Sequence, residues 1–458
     1  MSDERALLLR TAELAADYLE SLEERPVFPR RAVEDIAAAL GGSLPDSPSD
    51  PLEVIELIAR EAELGVVATA GPRYFGYVTG GALPATVGAD WLTTVWDQCA
   101  GLGVLGPSAS VVEEIVGDWL RDLFGLPANT SFAITTGCQM AHVTALAAAR
   151  HEVLTARDWD VRERGLAGSP PITVAVGRLR HVTVDRALRL LGIGGAQLAV
   201  VDADRQGRME PGALRETLSS VDGPTIVCAQ AGEVNTGSYD PFLEIAEIVR
   251  ETDAWLHVDG AFGLWVAASA ERRHLVDGVA AADSWATDGH KWLNVPYDCG
   301  LVFSSNPVAH NASMTMKASY FEGQGKWVRD AVDWTPESSR RARAFTVYAA
   351  LRSLGREGIA DLVDRCCDLA GRFASAISQL PGCALLNDVV INQVLFRFED
   401  DVLTNTVLAH VQDSGEAWMG GTMWNGRPAI RVSVSGWRTT EADIDRTVAA
   451  FQSALVAV

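Results

Sequence analysis

Lysine is the scarcest charged residue in this chain. Lys and Arg together number 38 among 458 residues, yet only Lys291, Lys317 and Lys326 are lysines. Chemistry that needs a side-chain amine therefore has three places to go. Cysteine is sparse as well: positions 99, 138, 228, 299, 366, 367 and 383 form no CxxC pair. That spacing excludes a dithiol redox motif or a zinc ribbon, and the odd count in so long a chain excludes a disulfide scaffold. A reduced, cytosolic chain is the expectation. Positive charge is short too. A formal net charge of −22 argues against a general nucleic-acid binder, which needs a basic face. No apolar run reaches the roughly 18 residues of a membrane span. The opening MSDERALLLRTAELAADYLE mixes charge into an apolar helical stripe and lacks the basic-then-apolar pattern of a leader, so a cytoplasmic location is expected.

What is present is ordinary globular composition, 48% hydrophobic and 21% charged, in a chain long enough for about three average domains or two large ones. There is no internal repeat and no low-complexity tract. Residues 1 to about 80 read as helices broken by proline-rich loops, followed by Tyr74, Phe75 and Tyr77 between glycines. An amphipathic helix is expected over about 110–124, with Val111, Ile115, Trp119 and Leu120 on one face. From 130 onward short apolar runs recur at 132–135, 172–176, 197–201, 225–229, 255–258, 284–287 and 300–304. Helix-like stretches such as 211–219 and 241–251, marked by proline at their starts, lie between several of them. This alternation implies βαβ units and a largely parallel sheet covered by helices. A polar stretch over 322–343 precedes a helix at about 344–354. The C-terminal part carries strand-like segments at 394–398 and 430–434 and a closing helix over 441–456.

The chemistry concentrates at strand ends. Trp285-Ala-Thr-Asp-Gly-His-Lys-Trp292 puts Lys291 in a Gly-punctuated loop after one strand. Trp255-Leu-His-Val-Asp-Gly-Ala-Phe262 puts Asp259 just past another. Open α/β sheets bind ligands at the carboxyl ends of their strands, so the two face one pocket. Pyridoxal phosphate needs such a pair: an amine to hold its aldehyde as a Schiff base, and a carboxylate to keep the pyridine nitrogen protonated. On spacing alone, a surface lysine near a capping aspartate is the commoner arrangement.

These segments resemble the signature of the group II pyridoxal-phosphate-dependent amino-acid decarboxylases, which include aromatic amino-acid and glutamate decarboxylases. The similarity runs in order from about Arg25 to the C-terminus. It implies a fold type I α/β architecture: a large domain with a mostly parallel seven-stranded sheet and a smaller C-terminal α+β domain. The implied divisions are an N-terminal helical, dimer-contacting segment (1–80), a cofactor-binding domain (81–343) and a small domain (344–458). It also implies a homodimer with the active site at its interface, acting on a small-molecule amino acid, without nucleic-acid or membrane partners and without a metal.

Carried across residue by residue, the resemblance makes Lys291 the Schiff-base lysine, Asp259 the partner of the ring nitrogen, and His181 the histidine stacked on the ring. The loop Thr136-Gly137-Cys138-Gln139, ahead of a helix over 140–150, becomes the phosphate site, where unpaired N–H groups and the helix dipole favour an anion. His290 and Asp288 approach the phosphate, and Ala261 packs beneath the ring. Arg431 fits a substrate-carboxylate contact or a surface ion pair. Tyr74, Phe75 and Tyr77 fit a substrate wall or core packing.

Two departures stand out. Animal aromatic decarboxylases protonate the product carbon with a tyrosine on a mobile loop, and Ala331 aligns with that position. Tyr320 or His310 are the substitutes, in a loop (about 311–340) whose composition fits a lid. Glu233 stands where relatives carry Thr or Asn; it could contact substrate, act as an acid–base group of raised pKa, or point away, and an active-site role is expected. The reading is decarboxylation of an L-amino acid to its amine and CO2. An aldolase-like lyase, an aldehyde synthase or an aminotransferase is the alternative on the same scaffold.

Overall fold

The computed structural model describes residues 2–29, 31–316 and 329–458; Lys317, Tyr320 and Lys326 lie outside the described residues. Its centre is a sheet of seven strands: β1 (Ser131–Thr135), β2 (Thr173–Gly177), β3 (Leu198–Val201), β4 (Thr225–Gln230), β5 (Trp255–Asp259), β6 (Ser284–Asp288) and β7 (Gly300–Ser304). Their order is β1-β7-β6-β5-β4-β2-β3. Only β7 opposes its neighbours, pairing antiparallel with β1 and β6; the remaining pairs are parallel. Every apolar run expected to be a strand is one. The reason is burial on both faces, which asks for apolar residues at successive positions.

Helices supply that cover. In chain order they are α1 (Ser2–Ser21), α2 (Val33–Leu40), α3 (Pro51–Ala62), α4 (Pro84–Trp96), α5 (Pro107–Phe124), α6 (Cys138–Thr155), α7 (Val161–Arg164), α8 (Val182–Leu190), α9 (Pro211–Ser219), α10 (Phe242–Thr252), α11 (Pro307–Met314), α12 (Ala344–Ile377), α13 (Asp401–Ser414) and α14 (Glu441–Ala457). Along β4, Val227 and Ala229 enter the core shared with α5, α9, α10 and α12. Ile226 and Cys228 enter the core shared with α6, α8 and α11. Each fully buried aliphatic side chain contributes about 1.5–3 kcal/mol, and the strict alternation fixes the register.

A four-stranded sheet, order β10-β11-β9-β8, forms the C-terminal part: β8 (Ala384–Leu385), β9 (Gln393–Arg397), β10 (Gly420–Trp424) and β11 (Arg427–Ser433). The sequence signalled β9 and β11 only. The other two strands sit at the edges, where few apolar residues are required. The helix expected to end at Leu354 continues to Ile377 after a kink at Gly355, whose φ is +62°. Beyond the kink, Ile359, Leu362, Val363 and Cys366 resume the buried face.

The sheet brings functional ends together. Since β7 opposes both β1 and β6, β1 runs with β6, and the C-terminal ends of β1, β4, β5 and β6 share one edge. A buried ion pair braces that edge. Arg340 Nη1 lies 2.7 Å from Glu113 Oε2 of α5, with both side chains at most 4% exposed. The pair also holds β1, through Ile134 N to Glu113 Oε1 (3.2 Å) and Arg340 Nη2 to Ile134 O (2.6 Å).

A lid as wide as 311–340 is not what the fold shows. α11 runs to Met314, and residues 330–332 are packed against the turn at 101–103. There Asp330 accepts from Gly103 N (2.8 Å), Val332 N donates to Gly101 O (3.1 Å), and Ala331 is 4% exposed. Ala331 thus sits in a buried turn rather than on a mobile loop. Among the described residues no helix is long and apolar enough to cross a membrane.

Candidate active site

Lys291 emerges from the loop that follows β6. Its Nζ lies 3.1 Å from Asp288 Oδ2, and its side chain is only one-fifth exposed. Burial works to depress the ammonium, but Asp288, Cys138 and Asp259 outweigh it and hold the pKa above the ordinary lysine value. Asn294 fixes the loop, at φ +58°. Its side chain donates to Trp292 O (2.8 Å) and Ser435 O (3.0 Å) and accepts from Trp437 N (2.9 Å), while its own carbonyl accepts from Leu83 N (2.9 Å).

The loop expected to hold a phosphate lies at the start of α6. Gly137 takes φ +127° as the residue before the helix, and a Cβ on Gly300 would fall 2.2 Å from the Gly137 carbonyl carbon. Only glycine lets the head of β7 approach this turn so closely. The first helical amide, Cys138 N, donates to Asp288 Oδ1 at 2.6 Å, so a carboxylate oxygen occupies the direction a phosphate oxygen would take. His290 accepts from Cys299 N on Nδ1 (3.0 Å), leaving Nε2 toward Asp288 Oδ1 at 3.4 Å. Burial lowers the His290 pKa.

Asp259 closes β5. Its Oδ1 accepts from Ala261 N (3.1 Å), and Oδ2 lies 3.5 Å from His142 Nε2. Burial pushes this carboxyl up, yet His142, His181 and Lys291 together hold it below the usual carboxylate range. His181 is the N-cap of α8: Nδ1 accepts from Thr183 N (3.4 Å) and contacts Thr183 Oγ1 (2.7 Å). That leaves Nε2 as the protonated nitrogen, and burial keeps the ring neutral by lowering its pKa.

Other expectations separate. Phe75 is 1% exposed and belongs to the hydrophobic core, so it is not a substrate wall. Tyr74 and Tyr77 both stack on Trp418, with centroids at 5.1 and 5.6 Å. Burial pushes the Tyr74 phenol up to about 12, whereas Tyr77 is exposed. Arg431, central in β11, donates to Val234 O at 3.3 Å and forms no ion pair among the described residues, which removes the surface-pair alternative. Glu233 is 1% exposed and is turned into its own loop. Its oxygens accept from Asn235 N (2.8 Å), Asn235 Nδ2 (2.7 Å) and Thr236 N (2.8 Å). Burial raises its pKa, and the Thr236 hydroxyl is a fourth donor at 3.1 Å, so most of its acceptor capacity is spent within its own loop. His310 cannot deliver a proton either. Its ring is 0% exposed, with Nδ1 on Ser131 Oγ (2.8 Å) and Nε2 on Trp334 O (2.9 Å). Residues the sequence did not flag also line this region: Trp418, and Tyr297, whose ring lies 4.4 Å from that of His290 and whose hydroxyl meets Thr79 Oγ1 at 3.3 Å.

The donor set fits a phosphorylated pyridine aldehyde: a helix-terminal amide for phosphate, an amine for the aldehyde, a buried carboxylate and a neutral imidazole. Residues 34–399 match the pyridoxal-dependent decarboxylase conserved domain. The chain belongs to that family. This pyridoxal-dependent decarboxylase is a carboxy-lyase that acts on an amino acid with pyridoxal phosphate as cofactor. It is 26% identical to tyrosine decarboxylase 2 of Narcissus pseudonarcissus, over 97% of this chain and 92% of that one. It is 25% identical to the aromatic-L-amino-acid decarboxylase of Bacillus atrophaeus, over 96% and 93% of the two chains. A 4-hydroxyphenylacetaldehyde synthase of Rhodiola rosea is also 25% identical, over 94% and 91%. Its fold is shared with the crystal structure of Oryza sativa TDC with PLP and tryptamine, at a TM-score of 0.94 and 21% identity, covering 100% of this chain and 98% of that one.

Proposed function

We propose that this site removes the α-carboxylate of an aromatic L-amino acid, giving the amine and CO2, with Lys291 as the covalent anchor of the cofactor. The observation that carries the reading is the position of Lys291 Nζ at the sheet edge, 3.1 Å from Asp288 and within electrostatic reach of Asp259. When bound, pyridoxal phosphate supplies the electron sink for the bond that breaks.

The chain's own residues do the rest. Asp259 holds the proton on the ring nitrogen. His181 and Ala261 are the residues that would pack against the ring of the bound cofactor, on its two faces. The Gly137 amide, and that of Cys138 once Asp288 Oδ1 gives it up, would seat the phosphate, with His290 Nε2 beside it and Asp288 tuning Lys291. Arg431, with donors to spare, orients the substrate carboxylate. Tyr77 acts on Arg431 electrostatically, so the Tyr74–Trp418–Tyr77 stack stands next to that guanidinium and offers flat faces to an aromatic side chain. With Ala331 buried and His310 tied on both nitrogens, Tyr320 is the group assigned to return the proton to the product carbon.

The working unit is proposed to be a homodimer with the active site at the interface. α2 and α3 bury none of their residues within the protomer, and they expose Val33, Leu40, Val54 and Ile58. A second copy would cover that surface. The division into 1–80, 81–343 and 344–458 belongs to the same proposal. So does a cytoplasmic location, which suits seven free cysteines.

The test is a substrate panel of tyrosine, tryptophan, phenylalanine, glutamate and diaminobutyrate, read as CO2, amine and aldehyde. Aromatic-specific CO2 with stoichiometric amine supports the proposal. CO2 from the acidic or basic members alone overturns the aromatic assignment. CO2 with aldehyde in place of amine moves the chain to the synthase chemistry named for its Rhodiola relative. Lys291→Ala should abolish borohydride-fixed cofactor and lower turnover by at least about 10²-fold.

A further inference from the structure

Behind Asp259 lies a hydrogen-bonded chain of side chains that the proposed chemistry does not touch. His142, in the second turn of α6, places Nε2 at 3.5 Å from Asp259 Oδ2 and 3.4 Å from Cys138 Sγ. Its Nδ1 is 2.9 Å from Nε2 of His257, in the middle of β5. His257 Nδ1 is 2.9 Å from Ser284 Oγ, at the head of β6. Ser284 Oγ in turn accepts the indole N–H of Trp255 at 2.9 Å. His142, His257 and Ser284 are all 0% exposed, so water does not compete for these bonds.

The indole sets the direction of the whole chain, because it can only donate. Ser284 Oγ has a proton and a second lone pair left, and its one other partner among the described residues is His257 Nδ1; a buried hydroxyl keeps its proton bonded only by donating it there. His257 then carries its proton on Nε2 and gives it to His142 Nδ1. His142 is left protonated on Nε2, facing the carboxylate. Burial, and after it the adjacent His142, holds the His257 pKa down to about 3, so this imidazole stays neutral and the order of donors holds at working pH. Cys138, His142 and Asp259 bring ligand atoms within 4.8 Å of one another, and in this order the His142 Nε2 proton is what lies among them.

We propose that Trp255, Ser284, His257 and His142 form a relay of fixed tautomer that keeps Asp259 an acceptor toward the cofactor's ring nitrogen. A reversed chain would present the bare Nε2 lone pair of His142 to Asp259. The carboxyl would then have to take up a proton, and it would give up the one it should hold on the ring. The four are positioning residues that act through Asp259, and the inference rests on the role proposed for Asp259 above.

The experiment loads apo-protein with cofactor carrying ¹⁵N in the ring, and reads the nitrogen resonance together with the cofactor dissociation constant. Ser284→Ala should move the resonance toward neutral pyridine and weaken cofactor binding about tenfold, the equivalent of one pKa unit. Ser284→Thr, which restores the hydroxyl, should return both to wild type. His142→Gln keeps an N–H toward Asp259 without a link to His257, so adding Ser284→Ala to it should change nothing further. Should Ser284→Ala fail to fold, His257→Phe with and without His142→Gln gives the same comparison. Relay variants with wild-type resonance and affinity overturn the proposal, as does an equal loss in the His142→Gln background. Asp259→Asn separates the two readings. If it shifts the resonance while relay variants do not, only the relay falls; if it too changes nothing, the role of Asp259 falls with it.

Discussion

The Lys291 ammonium sits 3.1 Å from Asp288 Oδ2, and Oδ1 of the same carboxylate accepts the first amide of α6 from Cys138 at 2.6 Å. One side chain therefore charges the amine and fills the anion seat. Forming a covalent link to an aldehyde needs the neutral amine, so Asp288 restrains the very group it positions. Asp288→Asn removes the charge that raises the Lys291 pKa. We expect the pH of half-maximal cofactor loading, trapped with borohydride, to fall by about one unit or more, with tighter phosphate binding. An unmoved midpoint would mean that another group sets the lysine.

Glu233 and Arg431 are neighbours with different jobs. Glu233→Gln leaves one of three N–H donors poorly matched, and about 1 kcal/mol of stability should be lost with substrate range and turnover unchanged. Arg431→Gln should raise KM for every substrate by roughly 10- to 100-fold while the melting midpoint stays near wild type. Urea denaturation and steady-state kinetics on both variants check this. A changed substrate range in Glu233→Gln would return that residue to the chemistry.

The Glu113–Arg340 pair is buried at both ends, so removing one partner strands a charge. Glu113→Ala should cost about 3–5 kcal/mol in urea unfolding. Replacing both with apolar residues of similar size, Glu113→Leu with Arg340→Met, should cost much less. If the single and double variants lose equally, the damage lies in packing rather than in the unpaired charge.

Asp240 carries the clearest pH signature outside the site. It accepts from Met209 N and Gln230 N, both at 2.7 Å, yet burial pushes its pKa from 3.8 up to about 6. The folded state thus binds this proton more tightly than the unfolded chain. Its stabilising effect is full at low pH, declines as pH rises through the window between those two values, and is constant above it. The decline should be about 3 kcal/mol. Urea midpoints across that window should flatten in Asp240→Asn, whatever its absolute stability. Asp283, raised to about 6 by burial, leaves a residual slope.

The strands were legible in the sequence because a sheet covered on both faces demands unbroken apolar runs, as at 225–229 and 255–258. Lys291 and Asp259 were legible because each ends such a run. His142 was not. It lies on a helix buried nearly all round, so no periodicity sets it apart, and its partners His257 and Ser284 come from two other elements. The orientation of Glu233 was not legible for a local reason: backbone amides two and three residues on, invisible in the residue string, turn its carboxylate into its own loop. The aromatic trio split because the chain is extended where Tyr74 bridges to Trp418, so the side chains of Tyr74 and Phe75 point to opposite faces.

Asn294 gives the site a timetable. The loop that carries Lys291 is clamped by Ser435 and Trp437, which leave the ribosome more than a hundred residues after the lysine itself. A nascent or truncated chain can hold Lys291, Asp259, His181 and the whole seven-stranded sheet and still lack that clamp. The last brace on the Lys291 loop is thus supplied by the end of the chain, long after the loop itself has been made.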